Sequence, residues 1–272
     1  VLDPEWAAFH YTSYDNPFLD PAEIEKAKSN MPSWLFRQEF LASFETGASG
    51  SFQREWFKTT KGEPTRLVKK IHGMVEETIP GDWYVTVDLA GFAAVQTAKG
   101  YRQRRLDQCA IAVVKVLETG NWYVRDVYLG RWNVKDTVTR ILDAIESCKT
   151  MNLGIEKGAL YNAVAPELAS EAAKRKLFLR VEPLSHENEN KVNRIGWALQ
   201  GRMEHGKILF REAGWNRDIE DQLVHFPSSL VHDDGLDALA FIPQLAKARV
   251  FENFSHVEET PYWTPIDRAA GF

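Results

Sequence analysis

Trp83-Tyr84-Val85-Thr86-Val87-Asp88 is the stretch whose reading decides the fold. Its β-branched and aromatic residues fit a buried, pleated strand, and the run ends on one carboxylate. The same form recurs at Leu153-Gly154-Ile155-Glu156, and a third acidic group comes late, in His232-Asp233-Asp234-Gly235-Leu236-Asp237. An apolar strand that delivers a carboxylate at its C-terminal tip is how a buried sheet presents an anionic ligand to a hard divalent cation. Each piece alone has an ordinary explanation. An acid after a strand is often a turn former or helix N-cap, Glu156 reads as well as a solvated strand end, and Asp233-Asp234 suits the positive end of a helix dipole. Their order, with the elements between them, favours a metal site.

Outward from Asp88, the runs Asp107 to Leu117 and Asn121 to Leu129 read as strands joined at Glu118-Thr119-Gly120, where glycine supplies the positive φ of a hairpin turn. Val134 to Lys149 has helical periodicity, with Val138, Ile141, Leu142 and Ile145 on one face. Asn152 to Glu156 is a further buried strand, followed by a helix from about Ala163 to Lys174 and a strand near Phe178 to Pro183. This β-β-β-α-β-α-β order predicts an α/β fold: a mixed sheet with an antiparallel meander first, then right-handed crossovers into parallel strands, flanked by helices. Beyond it the pattern gives a helix over Lys191 to Gln200, a hairpin-like piece around Lys207 to Phe210, a helix over Asn216 to Val224 and a last helix from Asp233 to Ala248.

Residues 1–60 read differently, as a helical arm. Asp20-Pro21 starts one helix with proline at the first helical position, a second runs from Ser33 to Phe44, and Gly47 to Ser51 is a linker. The main domain is expected over 61–252, with 253–272 as a tail. Val1 stands in a segment that reads as the middle of something, so an excised domain or processed product is expected.

With 272 residues, 44% hydrophobic and 26% charged, the chain has the means to bury a large core. It has no bilayer-length apolar run and no signal-like N-terminus, so no membrane partner and a cytosolic setting are expected. Cys109 and Cys148 lie in strand-like and helical patterns and set no disulfide framework or zinc-ligand spacing. No glycine-rich phosphate loop ending in Lys-Ser or Lys-Thr occurs, which excludes P-loop nucleotide hydrolysis in this chain. The net charge of −5 does not suit a generic nucleic-acid coat, but a carboxylate-built nuclease can be acidic overall and hold DNA through local basic stretches.

In the predicted sheet the first strand and the first crossover strand lie side by side, so their tips bring Asp88 and Glu156 together. Asp234 and Asp237 are three apart and share a helical face, which makes them the expected further ligands, with His232 and Asp233 supporting or capping. Four converging carboxylates repel one another unless cations neutralise them. Two Mg²⁺ or Mn²⁺ ions about 3.5–4 Å apart would activate water and stabilise the leaving oxygen of a phosphodiester. All-oxygen ligands favour these ions over Zn²⁺. Lys99, Arg102, Arg104 and Arg105, interleaved with Tyr101, form a basic loop suited to a DNA backbone. Lys191 and Arg194 are further candidate phosphate contacts, and Lys157 stands beside Glu156. His186 and His205 have no partner pattern and read as surface residues. Nothing resembles a recognition helix for base edges, so the expected partner is double-stranded DNA gripped without sequence preference.

The ordered set of motifs resembles the C-terminal nuclease domain of the large terminase subunit of tailed bacteriophages. The resemblance rests on Val87-Asp88-Leu89-Ala90-Gly91, Ile155-Glu156, Lys191-Val192-Asn193-Arg194-Ile195 and His232 through Ala240. Upstream, Thr12 to Pro17, Gln38-Glu39-Phe40 and Phe44-Glu45 are similar to the segment joining the motor ATPase to the nuclease. It implies an RNase H-like fold and a two-metal endodeoxyribonuclease that cuts concatemeric viral DNA as packaging starts and ends. It also implies an upstream ATPase domain in the same subunit, absent here, with the portal and small terminase subunit as partners, and action in the host cytoplasm at the procapsid portal. Asp88, Glu156 and Asp234 match the family's acidic triad, while Asp237 matches an additional acid of related resolvases. The long basic insert before the second strand is less typical of the family. Two alternatives are a Holliday-junction resolvase-like nuclease and a non-catalytic DNA-binding or docking module of a packaging motor.

Overall fold

A computed structural model describes residues 9–43, 52–70, 73–90, 108–185, 190–228 and 231–246. The core is a seven-stranded mixed sheet. Its centre is the meander of β4 (Gly81–Asp88), β5 (Cys109–Leu117) and β6 (Trp122–Gly130), paired antiparallel. After α3 (Val134–Cys148) the chain returns as β7 (Asn152–Glu156), parallel to β4; after α4 (Ala159–Lys174) it adds β8 (Arg180–Leu184), parallel to β7, at the sheet edge. The antiparallel meander, the parallel crossovers and the flanking helices are those expected from the sequence.

Strand periodicity sorts the core into two faces. Val85 and Val87 of β4 and Ile111 and Val113 of β5 pack under Ile141, Leu142 and Ile145 of α3 and Leu168 of α4. Tyr84, Ala110, Ala112 and Val114 face the other way, against Leu236, Leu239 and Phe241 in and beyond α8 (Asp234–Ala240). Both cysteines are buried and unbridged.

Four features depart from the sequence reading. Lys207 to Phe210 is not hairpin-like: β9 (Ile208–Arg211) joins the main sheet, parallel to β6 on one side and to β1 (Lys58–Thr60) on the other. The alternation of Ile208 and Phe210 into the core was too short a pattern to set a pairing partner. β1 brings residues of the expected arm into the sheet. Thr65–Lys70 and Gly73–Thr78 form a separate antiparallel pair, β2 and β3, which the sequence reading left unassigned because both strands are largely exposed and carry no apolar alternation. The pair is tied to the end of β5 opposite Asp88 by the ion pair of Lys115 with Glu63 and by Lys115 Nζ donating to Ile79 O (2.9 Å). Finally, α8 stops at Ala240, and 242–246 continue as a separate helical stretch. Pro243 has no N–H to continue the helix.

The arm helices α1 (Pro21–Lys28) and α2 (Ser33–Leu41) sit against a composite helix made of α5 (Lys191–Ile195), a π-helical turn (Gly196–Gln200) and α6 (Gly201–Glu204). Ser33 N and Oγ donate to the Glu204 carboxylate, and Trp34 Nε1 donates to Gln200 Oε1 at 3.2 Å. The approach requires glycine at 201, where a Cβ would lie 2.4 Å from the Met31 carbonyl carbon. Between β9 and α8, the helix α7 (Asn216–His225) buries Ile219 and Leu223 in the same core layer.

Candidate metal centre

The register Val87↔Ile155 between β4 and β7 leaves Asp88 and Glu156 as the next residues on adjacent strand tips. Asp88 follows the parity of Thr86 and Tyr84, and Glu156 that of Gly154, so both belong to the face covered by α8. Thr86 Oγ1 donates to Ala238 O at 2.7 Å, fully buried, and so fixes α8 across β4 two residues before Asp88.

Asp234 and Asp237 face inward from α8 with exposures of 5% and 4%. The backbone N–H of Gln108, just before β5, donates to Asp234 Oδ2 at 2.9 Å, and His232 Nδ1 lies 3.7 Å from the same oxygen. Gly235 permits α7 to close against this turn: a Cβ there would fall 2.4 Å from Ile219 Cδ1, and Gly235 N donates to Gln222 Oε1 at 3.1 Å.

The electrostatics record the convergence. Burial, then a hydrogen bond with Glu156, then the charges of Asp237, Glu156 and Asp234 push the Asp88 carboxyl well above the ordinary carboxylate range. Asp88 and Glu156 thus lie within hydrogen-bonding reach of each other, with the two α8 acids close enough to be felt at Asp88. The structure gathers Asp88, Glu156, Asp234 and Asp237 into one region.

Asp237 differs from the other three. Arg194 Nη2 donates to Asp237 Oδ1 at 2.5 Å, Lys191 Nζ pairs with Oδ2, and Lys191 Nζ also donates to Asp233 Oδ1 at 2.7 Å. Burial raises Asp237 above its usual value while Lys191 and Arg194 pull it back. For Lys191, burial alone would lower the ammonium's pKa, but Asp237 and Asp233 hold it above the ordinary lysine value. The cations expected on phosphates therefore face protein carboxylates. Arg194 is 5% exposed, its guanidinium 4.5 Å from the Phe241 ring centre, which a surface phosphate contact does not require.

Of the remaining candidates, Asp233 precedes α8 without a side-chain capping bond and pairs with Lys191 instead. Lys157 is exposed, and its N–H donates to Leu184 O at 2.8 Å. His205 is exposed and within 3.2 Å of Met31 O. Lys99, Arg102, Arg104, Arg105 and His186 lie outside the described residues. Sequence reasoning missed Thr86, Gln108 and Gln222. Thr86 carried a signal, as a polar residue inside an apolar strand, whereas Gln108 acts through its backbone and carried none.

The donor set is all oxygen, which fits a hard divalent cation, and the neighbouring acids that raise Asp88 mark a place where positive charge is favoured. Among the described residues no three acidic, histidine or cysteine side chains stand close enough to form a ready-made cage for an ion. No helix among them is long and apolar enough to cross a membrane.

The fold is similar to several solved structures. The large terminase nuclease of thermophilic phage G20c with bound magnesium shares 16% identity at a TM-score of 0.42, over 72% of this chain and 97% of that one. The yeast mitochondrial Holliday junction resolvase Ydc2 shares 12% at 0.40, over 65% and 86%. The HK97 bacteriophage large terminase shares 12% at 0.43, with 82% of this chain spanning half of that one. These are distant likenesses. No family model and no curated protein matches the chain.

Proposed function

We propose that this chain is a divalent-metal-dependent endodeoxyribonuclease, the nuclease part of a terminase-type large subunit, acting on double-stranded DNA. The observation that carries the reading is the placing of Asp88 and Glu156 on adjacent strand tips, close enough to the buried Asp234 of α8 for its charge to be felt at Asp88. Carboxyls crowded out of water cost stability unless a cation joins them, and a fold that keeps them there has a use for that charge.

Asp88, Glu156 and Asp234 would hold the ion, Mg²⁺ or Mn²⁺ by donor chemistry. When bound, such an ion acts as a Lewis acid on a phosphoryl oxygen and lowers the pKa of water at neutral pH. The chain's own residues do the rest. Gln108 N–H and His232 orient the Asp234 carboxylate, Thr86 holds α8 over the strand tips, and the Arg194–Asp237 pair ties α5 to α8. The narrower role, cutting concatemeric viral DNA beside an upstream ATPase, a portal and a small terminase subunit in the host cytoplasm, is supported by the ordered motif set alone.

Nicking of supercoiled plasmid tests the reading. Mn²⁺ or Mg²⁺ should stimulate it, EDTA should abolish it, and Asp88→Ala should reduce it to background with the circular dichroism spectrum unchanged. An Asp88→Ala chain as active as the parent removes Asp88 from the mechanism. Preference for a synthetic four-way junction over linear duplex would favour a resolvase-like enzyme instead.

A further inference from the structure

Asp237, the fourth acid of the site, already has its charge answered. Both oxygens of Asp237 are taken, Oδ1 by Arg194 and Oδ2 by Lys191, and the Lys191 ammonium also reaches Asp233. Arg194 is buried against Phe241, and its Nε and Nη1 have no hydrogen-bond partner among the described residues. Its described charge partner is Asp237. A guanidinium so placed cannot swing to solvent to make room for an ion, because leaving would expose the Phe241 face and strand a buried carboxylate. A second divalent ion at Asp237 would stand against two positive charges that the fold fixes within hydrogen-bonding distance of the same carboxylate.

We infer that Lys191 and Arg194 are resident cations occupying the electrostatic place of a second metal, so that Asp237 is a positioning residue and the site takes a single divalent ion on Asp88, Glu156 and Asp234. The inference rests on the reading of those three as ligands. It reverses two expectations from the sequence, that Asp237 is a ligand and that two ions bind. Three residues apart on one helix face, Asp234 and Asp237 look equivalent in sequence. What sets Asp237 apart is two full positive charges within hydrogen-bonding distance of its carboxylate.

The test is a count of bound Mn²⁺ on the whole chain, by loss of the free-ion electron paramagnetic resonance signal, with circular dichroism as the folding control. Wild type should bind one ion. Asp237→Asn should still bind one, weakened by about 10- to 100-fold, as for a group that orients ligands without touching the metal. Lys191→Met, which removes a half-exposed cation, should admit a second ion. Two ions on wild type, complete loss of binding in a folded Asp237→Asn, or a count of one in Lys191→Met would each overturn the inference. Asp88→Asn separates this from the underlying reading. If that variant binds as wild type does, or if wild type binds no ion, the ligand assignment itself fails.

Discussion

The Thr86 hydroxyl donates a fully buried hydrogen bond, 2.7 Å long, to the carbonyl of Ala238, and through it the strand that ends at Asp88 is locked to the helix that carries Asp234 and Asp237. The bond lies between residues 152 positions apart in the chain, so it sets the distance between the strand-tip acid and the helix acids more directly than any local feature does.

Thr86→Val keeps the shape and removes the donor, leaving the Ala238 carbonyl unsatisfied in the core. The expected cost is about 1–3 kcal/mol in urea unfolding. Plasmid nicking at saturating metal should fall as well, since α8 is then free to shift. Unchanged stability would mean that Ala238 finds another donor.

The raised pKa of Asp88 gives a pH dependence of defined sign. Below the unfolded value of ~3.9 the carboxyl is protonated in both states and folding carries no penalty from it. As pH rises through the elevated folded value, the unfolded chain has released the proton that the native state still binds, and stability falls. In EDTA, wild type should therefore lose melting temperature as pH rises above the unfolded value, Asp88→Asn should lose less, and added Mn²⁺ should restore wild type most at the high-pH end of the series. Equal pH slopes for the two proteins would count against the crowding of acids around Asp88.

Arg194→Met breaks a buried ion pair and should cost about 3–5 kcal/mol. Adding Asp237→Asn should recover much of that loss, because the stranded charge is removed with its partner. A double-mutant cycle in denaturant measures the coupling, and additive losses would mean that the pair is not a unit.

Gly235→Ala sets a helix-propensity gain of about 1 kcal/mol against overpacking of about 1–3 kcal/mol. The new methyl would lie 2.4 Å from Ile219 Cδ1 and 2.9 Å from Gln222 Oε1, so α7 must move. Net destabilisation by thermal melting is expected, and a gain in melting temperature would show that α7 yields freely.

The sheet was legible because its central strands are largely buried: Trp83 to Val87 and Cys109 to Leu117 are mostly apolar, with Thr86 and Lys115 as the polar exceptions. β9, four residues long, and the exposed β2–β3 pair gave no comparable pattern, since their place depends on partners distant in the chain. The same division holds at the site. Which residue types carry negative charge, that two of them end strands, and that Asp234 and Asp237 share a helix face were fixed by order and spacing along the chain. Whether an acid meets another carboxyl, an amide or an arginine was decided only on folding, because charge compensation is a matter of a few ångströms in space. Lys191 and Arg194 looked like free cations in sequence, and only the packing of α5 against α8 turned them inward to Asp237.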